Sequence, residues 1–305
     1  MKIILKKTII VTLFLILIWI ILKNSNIVSE NIIYAFDLCL RRVFPTLFPM
    51  FIISDILIKY GAALGLAKIF KGISSKLFKV SGLFSYVMIM SLLSGSPSNA
   101  IFVKDLYKNK YISSKEASKI LSFTFFANPL LIYTFLLLIL ECKNTALRII
   151  FVVYIGNFII GLLFRNLYKD EVNNYVLSSE EHDFSKVLTE AIKKAMNNMI
   201  IIVGTITFFV MLSSLINEAL GFKGIVNSLL TGILELASGL NSLINLNASD
   251  KLKGILAGIF ISFGGFSIHM QIKSILNDTS ISYKLFFIAR IIHACITAIL
   301  LLLIL

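Results

Sequence analysis

The chain has 305 residues, of which 58% are hydrophobic, and its mean hydropathy is +0.92. Several uncharged runs of membrane-crossing length argue against a soluble domain and predict an all-α polytopic membrane protein in the lipid bilayer. The net charge of +13 comes from Lys and Arg residues in the short connections between apolar runs. This distribution is typical of cytoplasmic loops, so we expect no nucleic-acid partner.

Residues 1–30 are predicted to form an N-terminal membrane anchor. Lys2, Lys6 and Lys7 precede an uncharged run over residues 8–22, a pattern shared with signal peptides. Residues 22–25 offer no small-residue cleavage site, which favours an uncleaved anchor with a cytoplasmic N-terminus. The rest of the chain divides into a first membrane repeat (31–167), a charged linker (168–194) and a second membrane repeat (195–305).

The centre of the first repeat is the sequence Ser94-Gly95-Ser96-Pro97-Ser98-Asn99, inside an uncharged run over residues 80–103. Small and helix-breaking residues leave backbone groups without intrahelical partners, which is tolerated at membrane depth only inside protein or beside a wet cavity. Ten Lys residues lie from position 59 to position 119, on both sides of this run. A re-entrant hairpin keeps both basic flanks in the cytoplasm. The alternative is a Pro-kinked helix, or two short helices joined by a tight turn, with no ligand.

Two further features of the first repeat involve proline. Pro45 and Pro49 cannot both occupy a regular helix interior, so a helix is expected to begin or kink near Pro45. Asn128 and Pro129 interrupt the uncharged stretch over residues 120–140, which predicts a second discontinuous helix with an amide at membrane depth.

A second break is predicted at Phe263-Gly264-Gly265-Phe266-Ser267. Placing Gly95 on Gly264 aligns several residues at a constant offset of 169, and an offset of 160 aligns positions further upstream. Counting the crossings gives the two halves opposite orientations. The sequence therefore predicts two inverted repeats with re-entrant hairpins or broken helices, a plan that many secondary transporters share.

Three polar residues in the second repeat are candidates for a binding site. Glu235 lies in a weaker apolar stretch over residues 224–246, and it either faces the protein interior or lies at the membrane interface. His269 follows the second break, and His293 lies one helical turn after Arg290. Imidazole groups can serve proton coupling or bind a solute, but each can also simply satisfy a neighbouring helix.

Four strings together resemble the YlbJ family of sporulation integral membrane proteins. They are Leu92 to Pro97, Leu121 to Leu130, Leu234 to Gly239 and Phe263 to Gln271, followed by Arg290-Ile291-Ile292-His293-Ala294. That family belongs to the wider nucleoside-recognition, or Gate, domain group, and the resemblance covers the chain from about residue 31. It implies a role in endospore formation, in the cell membrane or the forespore or mother-cell membrane, with transport of a small polar solute as the activity.

This chain departs from the family pattern in two places. Ser96 and Asn99 stand where the family usually has an aromatic and a small residue, and Phe125 and Phe126 stand where amides are usual. The breaks and the polar residues within them together define the candidate site for a small polar solute and a coupling ion, which comprises the following residues: Ser94, Gly95, Ser96, Pro97, Asn99, Asn128, Pro129, Glu235, Gly264, Gly265, Ser267, His269, Gln271 and His293.

The sequence contains none of three common catalytic motifs. The phosphate-binding loop, the His-Glu-x-x-His zinc motif and the Gly-x-Ser-x-Gly elbow are all missing, and the three cysteines are spaced like neither a zinc site nor a disulfide framework. We therefore predict no enzyme activity, cofactor or metal site. Two hypotheses remain: a secondary carrier with its solute between the breaks, and a non-transporting scaffold for other sporulation proteins.

Overall fold

The structure, a computed structural model, describes residues 2–167 and 183–305. Within these residues it contains α-helices and two short π-helical segments, with no strand. The α-helices are α1 (Lys2–Lys23), α2 (Ser25–Leu38), α3 (Phe44–Lys59), α4 (Ala62–Ile73), α5 (Leu83–Ser94), α6 (Ser98–Lys108), α7 (Ser114–Phe123), α8 (Pro129–Ile139), α9 (Lys143–Leu163), α10 (Phe184–Leu220), α11 (Gly224–Leu234), α12 (Leu236–Ile244), α13 (Asp250–Phe263), α14 (Gly265–Ile275) and α15 (Tyr283–Ile304).

Four described stretches are long and apolar enough to cross a membrane, and two bent helix pairs raise the number to as many as six. The four are Lys143–Leu163, Phe184–Leu220, Asp250–Ile275 and Tyr283–Ile304. The predicted all-α polytopic class is thereby confirmed. Positions 168–182 of the predicted linker lie outside the described residues.

Helices α2 and α3 form one continuous rod through the π-helical segment Cys39–Val43. The N–H group of Phe44 bonds to the carbonyl of Cys39, five residues earlier, and Pro45 follows directly. A proline ring has no N–H group and clashes with the carbonyl four residues before it, and the wider π turn relieves this conflict. The expected kink near Pro45 therefore takes the form of a local change in helix pitch.

Helix α10 defines the two ends of the molecule. Its Lys194 forms ion pairs with Asp55 of α3 at 2.7 Å and with Asp105 of α6 at 3.6 Å. Leu220 is the last residue of α10 and lies about 39 Å further along the helix, a distance comparable to the thickness of a bilayer. We call the end with Lys194 the basic end and the end with Leu220 the far end.

Helices α5 and α6 form a hairpin that starts and finishes at the basic end. The N–H group of Ser81, just before α5, donates to Glu116 of α7 at 2.6 Å. Asp105 near the end of α6 pairs with Lys194, and α7 begins soon afterwards at Ser114. Both ends of the hairpin therefore lie beside the start of α7, as the basic flanks predict.

Helices α11 and α12 form a second hairpin, which begins and ends at the far end. Helix α11 starts at Gly224, directly after α10, and α12 packs back against it so closely that a Cβ atom on Gly239 would lie 2.2 Å from the Cα of Gly232. Glu235 forms the tip. The sequence predicts a single weak span here, and the structure replaces it with a hairpin because two glycines let the helix backbones touch.

Two helix pairs cross the molecule with a break in the middle. Helices α7 and α8 lead from the basic end to the far end, where the N–H group of Glu141 donates to Asp250 of α13 at 3.4 Å. Helices α13 and α14 lead back to Asp278, which pairs with Lys104 at 2.6 Å. The break at Gly264 and Gly265 is therefore a bend inside a crossing segment, which is the broken-helix alternative of the prediction.

The order hairpin, broken crossing pair, long helix occurs twice, ending in α9 and α15. The two hairpins enter from opposite ends, and the inverted repeat stays a prediction. The offset of 169, however, pairs a hairpin tip at Gly95 with the bend at Gly264, so these two glycines do not occupy equivalent places. The division into repeats over 31–167 and 195–305 stays a prediction.

Candidate functional site

The tip of the first hairpin packs directly on the break between α7 and α8. Gly95 has a φ of +75°, and a Cβ atom there would lie 2.9 Å from both the backbone nitrogen and the Cβ of Asn128. The hydroxyl of Ser96 donates to the Phe126 carbonyl at 3.1 Å, and those of Ser94 and Ser98 bond to each other at 2.6 Å. Only glycine meets both the conformation and the close approach at position 95.

The side chain of Asn128 connects the tip of the first hairpin with the α7–α8 break through both its Oδ1 and its Nδ2. Its Oδ1 accepts hydrogen bonds from the N–H groups of Leu130 and Leu131 at 3.0 and 3.1 Å, so it caps α8, whose first residue is Pro129. Its Nδ2 donates to the Leu93 carbonyl at 3.0 Å. The amide that the sequence places at membrane depth therefore satisfies backbone groups that the breaks expose.

Glu235 plays the corresponding part at the tip of the second hairpin. Its two carboxylate oxygens accept hydrogen bonds from the N–H groups of Ala237 at 3.0 Å and Ser238 at 2.6 Å, which caps α12. The residue is 2% exposed, and no described Lys or Arg forms an ion pair with it. Of the two predicted alternatives, the structure has the interior one.

The bend between α13 and α14 contacts both the α7–α8 break and the tip of the second hairpin. Gly264 has a φ of +89°, and a Cβ atom there would lie 2.5 Å from Cζ of Phe125. A Cβ atom on Gly265 would lie 3.0 Å from the backbone nitrogen of Leu236, beside the Glu235 tip. Four irregular backbone segments from both halves of the chain thus meet in one place.

A buried cavity of about 50 Å³ lies where these segments meet; we call it the central cavity. Its walls include Ser96, Pro97, Asn128, Glu235 and Gln271, together with Phe125 and apolar residues of α3, α8, α10 and α12. The Nε2 of Gln271 donates to the Thr205 hydroxyl at 2.9 Å, and its buried Oε1 has no hydrogen-bond partner among the described residues. The cavity has room for a few water molecules in its present shape.

His269 lies beside the α13–α14 bend and does not line the central cavity. Its Nε2 lies 3.1 Å from the Phe263 carbonyl, and its Nδ1 lies 3.1 Å from the Tyr283 hydroxyl. Because a carbonyl only accepts, we assign the proton to Nε2, which leaves Nδ1 to accept from tyrosine. His269 thus satisfies a carbonyl at the free end of α13.

His293 belongs to a separate buried network around Arg290. The guanidinium of Arg290 lies 2.9 Å from Nδ1 of His293, and Nε2 of His293 lies 2.8 Å from the Val153 carbonyl. A guanidinium only donates and a carbonyl only accepts, so the imidazole is neutral with its proton on Nε2. A Cβ atom on Gly156 would lie 2.5 Å from this ring, so the pocket fits it closely.

Arg290 itself connects the broken helices. Its Nη2 donates to the Ser122 carbonyl at 2.6 Å and to Oδ1 of Asn157 at 3.1 Å, and its Nη1 lies 3.5 Å from the Ser262 carbonyl. The group is fully buried and lies over the Phe125 ring at 4.7 Å. The sequence indicates Arg290 only as a helical neighbour of His293, and its carbonyl partners leave no sequence pattern.

The predicted site residues thus fall into three groups. Ser96, Pro97, Asn128, Glu235 and Gln271 line the central cavity, while Gly95, Pro129, Gly264 and Gly265 shape the breaks around it. Ser94, Asn99, Ser267, His269 and His293 are buried outside it. Within the described part of the chain, the polar side-chain atoms of Asn99 and Ser267 have no hydrogen-bond partner. Their assignment to a binding site stays a prediction. Among the described residues, no three His, Cys, Asp or Glu side chains come together as metal ligands.

Comparison with known proteins identifies one informative relative. The chain is 26% identical over 296 residues to the sporulation integral membrane protein YlbJ of Bacillus subtilis (strain 168), and the match covers 84% of this chain and 72% of that protein. No family model matches the chain, and no solved structure matches it.

Proposed function

Because this chain belongs to the YlbJ family, we propose that it is a sporulation-associated secondary carrier for a small polar solute, acting in the cell membrane or the forespore or mother-cell membrane. The observation that carries this proposal is the meeting of four backbone breaks at one buried cavity with a carboxylate and a half-satisfied amide. Hairpin tips and broken helices at membrane depth are the usual construction of solute and ion sites in carriers.

The proposed mechanism uses the opposite entry of the two hairpins. Movement of the α5–α6 hairpin opens the central cavity toward the basic end, and movement of the α11–α12 hairpin opens it toward the far end. Glu235 and Gln271 then contact the solute or a coupling ion. The cavity of about 50 Å³ corresponds to the occluded state between the two openings.

The alternative is a non-transporting scaffold for other sporulation proteins. The small volume of the central cavity and the Phe125 ring in its wall favour this alternative. The breaks count against it, since a scaffold has no need of irregular backbone at membrane depth.

Filling the cavity separates the two proposals. Ile202 of α10 lines the central cavity and is 4% exposed, whereas its neighbour Ile201 is 57% exposed on the outer surface of the same helix. We would express Ile202→Trp and the control Ile201→Trp in a Bacillus subtilis strain lacking YlbJ and count heat-resistant spores. If the protein is a carrier, Ile202→Trp should lose heat-resistant spores while Ile201→Trp keeps them, at equal protein levels. If both variants form heat-resistant spores normally, the result supports the scaffold.

Transport is then measured directly. Purified protein in proteoliposomes is offered a radiolabelled set of small polar metabolites, and uptake is compared with that of the Ile202→Trp variant. We expect the unmodified protein to take up at least one compound that the Ile202→Trp variant does not. Uptake no greater than that of protein-free liposomes for every compound would reject the carrier, and equal uptake above that background by both proteins would reject the role of the central cavity.

A further inference from the structure

A second, larger cavity lies at the far end, between α2, α10, α11 and α12. It has a volume of about 690 Å³, within the range of small-molecule sites. We call it the outer chamber. Asn31, Asn217, Asn227 and Asn241 contribute an amide from each of the four helices. Four amides around one space inside a membrane protein are unusual, because each must find polar partners there.

The charged and uncharged groups of the outer chamber are arranged by depth. Its charged residues, Glu218 and Lys223, are exposed at the far end. Deeper in, the walls are formed by buried hydroxyl-bearing residues, among them Ser213, Thr231 and Ser238. Among the described residues that line it, the deep part of the wall therefore offers neutral donors and acceptors and no charged side chain.

Several of these groups have hydrogen-bonding capacity left over. Ser214 donates to Oδ1 of Asn31 at 2.5 Å, and Thr231 lies 3.3 Å from Oδ1 of Asn227. The buried Oδ1 of Asn217 accepts no hydrogen bond from any residue that the structure describes. Amides and hydroxyls both donate and accept, so the same surface can bind a ligand through both kinds of hydrogen bond.

Helix α12 is the wall between the outer chamber and the central cavity. Ala237 and Leu240 face the central cavity, whereas Ser238, Asn241 and Ser242 face the outer chamber. The spacing of three and four residues within each set places them on two sides of one helix. A solute in the outer chamber therefore lies one short helix away from Glu235.

We infer that the outer chamber is a binding site for a neutral solute rich in hydroxyl or amide groups, and that α12 separates it from the central cavity. An ionic solute would lose its hydration at depth without gaining an opposite charge, which is costly, whereas a neutral one exchanges water for matching hydrogen bonds. A solute can bind in the outer chamber whether or not the protein transports it. Only the passage of the solute past α12 into the central cavity rests on the proposed carrier function.

The test compares matched neutral and charged compounds. Glucose, myo-inositol and nicotinamide are paired with gluconate, inositol phosphate and nicotinate, and binding is measured by thermal shift at millimolar concentration. The protein is held in lipid nanodiscs, because sugar-headed detergents would compete for the site. We expect at least one neutral compound to stabilise the protein while its charged counterpart does not.

Variants place this effect in the outer chamber. Asn241→Leu removes an amide from the chamber wall, and Asn247→Leu makes the same change at an exposed loop position. Loss of one or two hydrogen bonds should weaken binding about tenfold in Asn241→Leu and leave Asn247→Leu unchanged. Neutral binding without proteoliposome uptake supports the site and rejects the carrier. Stronger binding of the charged compounds, equal effects of both variants, or no binding across the set overturns the inference.

Discussion

Ser122 and Ser262 present their main-chain carbonyl oxygens to the same guanidinium group, that of Arg290, at 2.6 and 3.5 Å. Each serine is the residue before the last residue of a broken helix, since α7 ends at Phe123 and α13 ends at Phe263. Carbonyls at a helix end have no intrahelical partner, and in a membrane protein they need one from elsewhere. One buried arginine thus serves the broken helices of both halves.

Replacing this arginine should destabilise the protein even when the charge is kept. In Arg290→Lys a single nitrogen cannot reach both helix ends, and we expect stability to fall by about 3 kcal/mol. Arg148→Lys, at an exposed position of α9, is the matched control. The unfolding temperatures of the two variants are measured by heating samples and monitoring the remaining folded protein by size-exclusion chromatography. Equal unfolding temperatures of the two variants would contradict the bridging role.

Glu235→Gln should abolish the spore-forming activity at normal protein level. The amide has one oxygen, so one of the N–H groups of Ala237 and Ser238 loses its acceptor, at a cost of about 1 kcal/mol. Glu141→Gln, an exposed exchange of the same chemistry, should change neither activity nor stability. A fully active Glu235→Gln protein would reduce the carboxylate to a helix cap.

The bend between α13 and α14 requires glycine. Gly264→Ala should lower stability by about 2 kcal/mol or more, because the residue has a positive φ and the new methyl group meets Phe125. Gly204→Ala in α10 is the control, since a Cβ atom there has nothing within 4 Å. The same unfolding assay applies, and a variant as stable as the control would show that the bend tolerates a side chain.

The basic end should lie in the cytoplasm. In a protein whose native cysteines have been replaced, single cysteines at Lys71 and Lys108 should resist an impermeant maleimide added to intact cells. A cysteine at Lys223, at the far end, should react. Labelling of position 108 without position 71 would remove the first hairpin, and labelling of both would reverse the orientation.

The ion pairs of Asp278 should stabilise the protein at neutral pH, and this contribution should be lost in strong acid. Hydrogen bonds from Lys104 and then Lys108 hold the pKa of this exposed carboxyl well below its ordinary value of 3.8. A depressed folded-state pKa stabilises above the unfolded pKa, and this contribution is lost as the pH falls through the folded one. The unfolding temperatures of the unmodified protein and Asp278→Asn should therefore converge as the pH is lowered below 3.8. A constant difference would contradict the assignment.

The positions of three breaks could be predicted because proline, glycine and small polar residues mark them. The break at Glu235 could not, since no proline or glycine adjoins it and the apolar stretch reads as continuous. Its signal is the pair Gly232 and Gly239, seven residues apart on either side of an acid that can cap a helix.

The sequence alone does not show which positions of the two predicted repeats correspond. Ser122 and Ser262 are 140 residues apart, as are Lys143 and Tyr283 at the starts of α9 and α15. The offset of 169 instead joins unlike elements, a hairpin tip and a bend. Sequence similarity between two short breaks carries no information on whether the chain turns back or continues, since that depends on what packs against each arm.

Arg290 also bears on how the protein is made. The membrane receives the helices in chain order, and α15 follows every other described helix, so Ser122 precedes its arginine by 168 residues of synthesis. Until α15 arrives, water or other polar groups must occupy the ends of α7 and α13. When it does arrive, its cation enters a space already lined with carbonyl oxygens instead of hydrocarbon. The carbonyl groups at the ends of α7 and α13, which lack partners before α15 is made, therefore provide the hydrogen bonds that allow the buried Arg290 to enter the membrane.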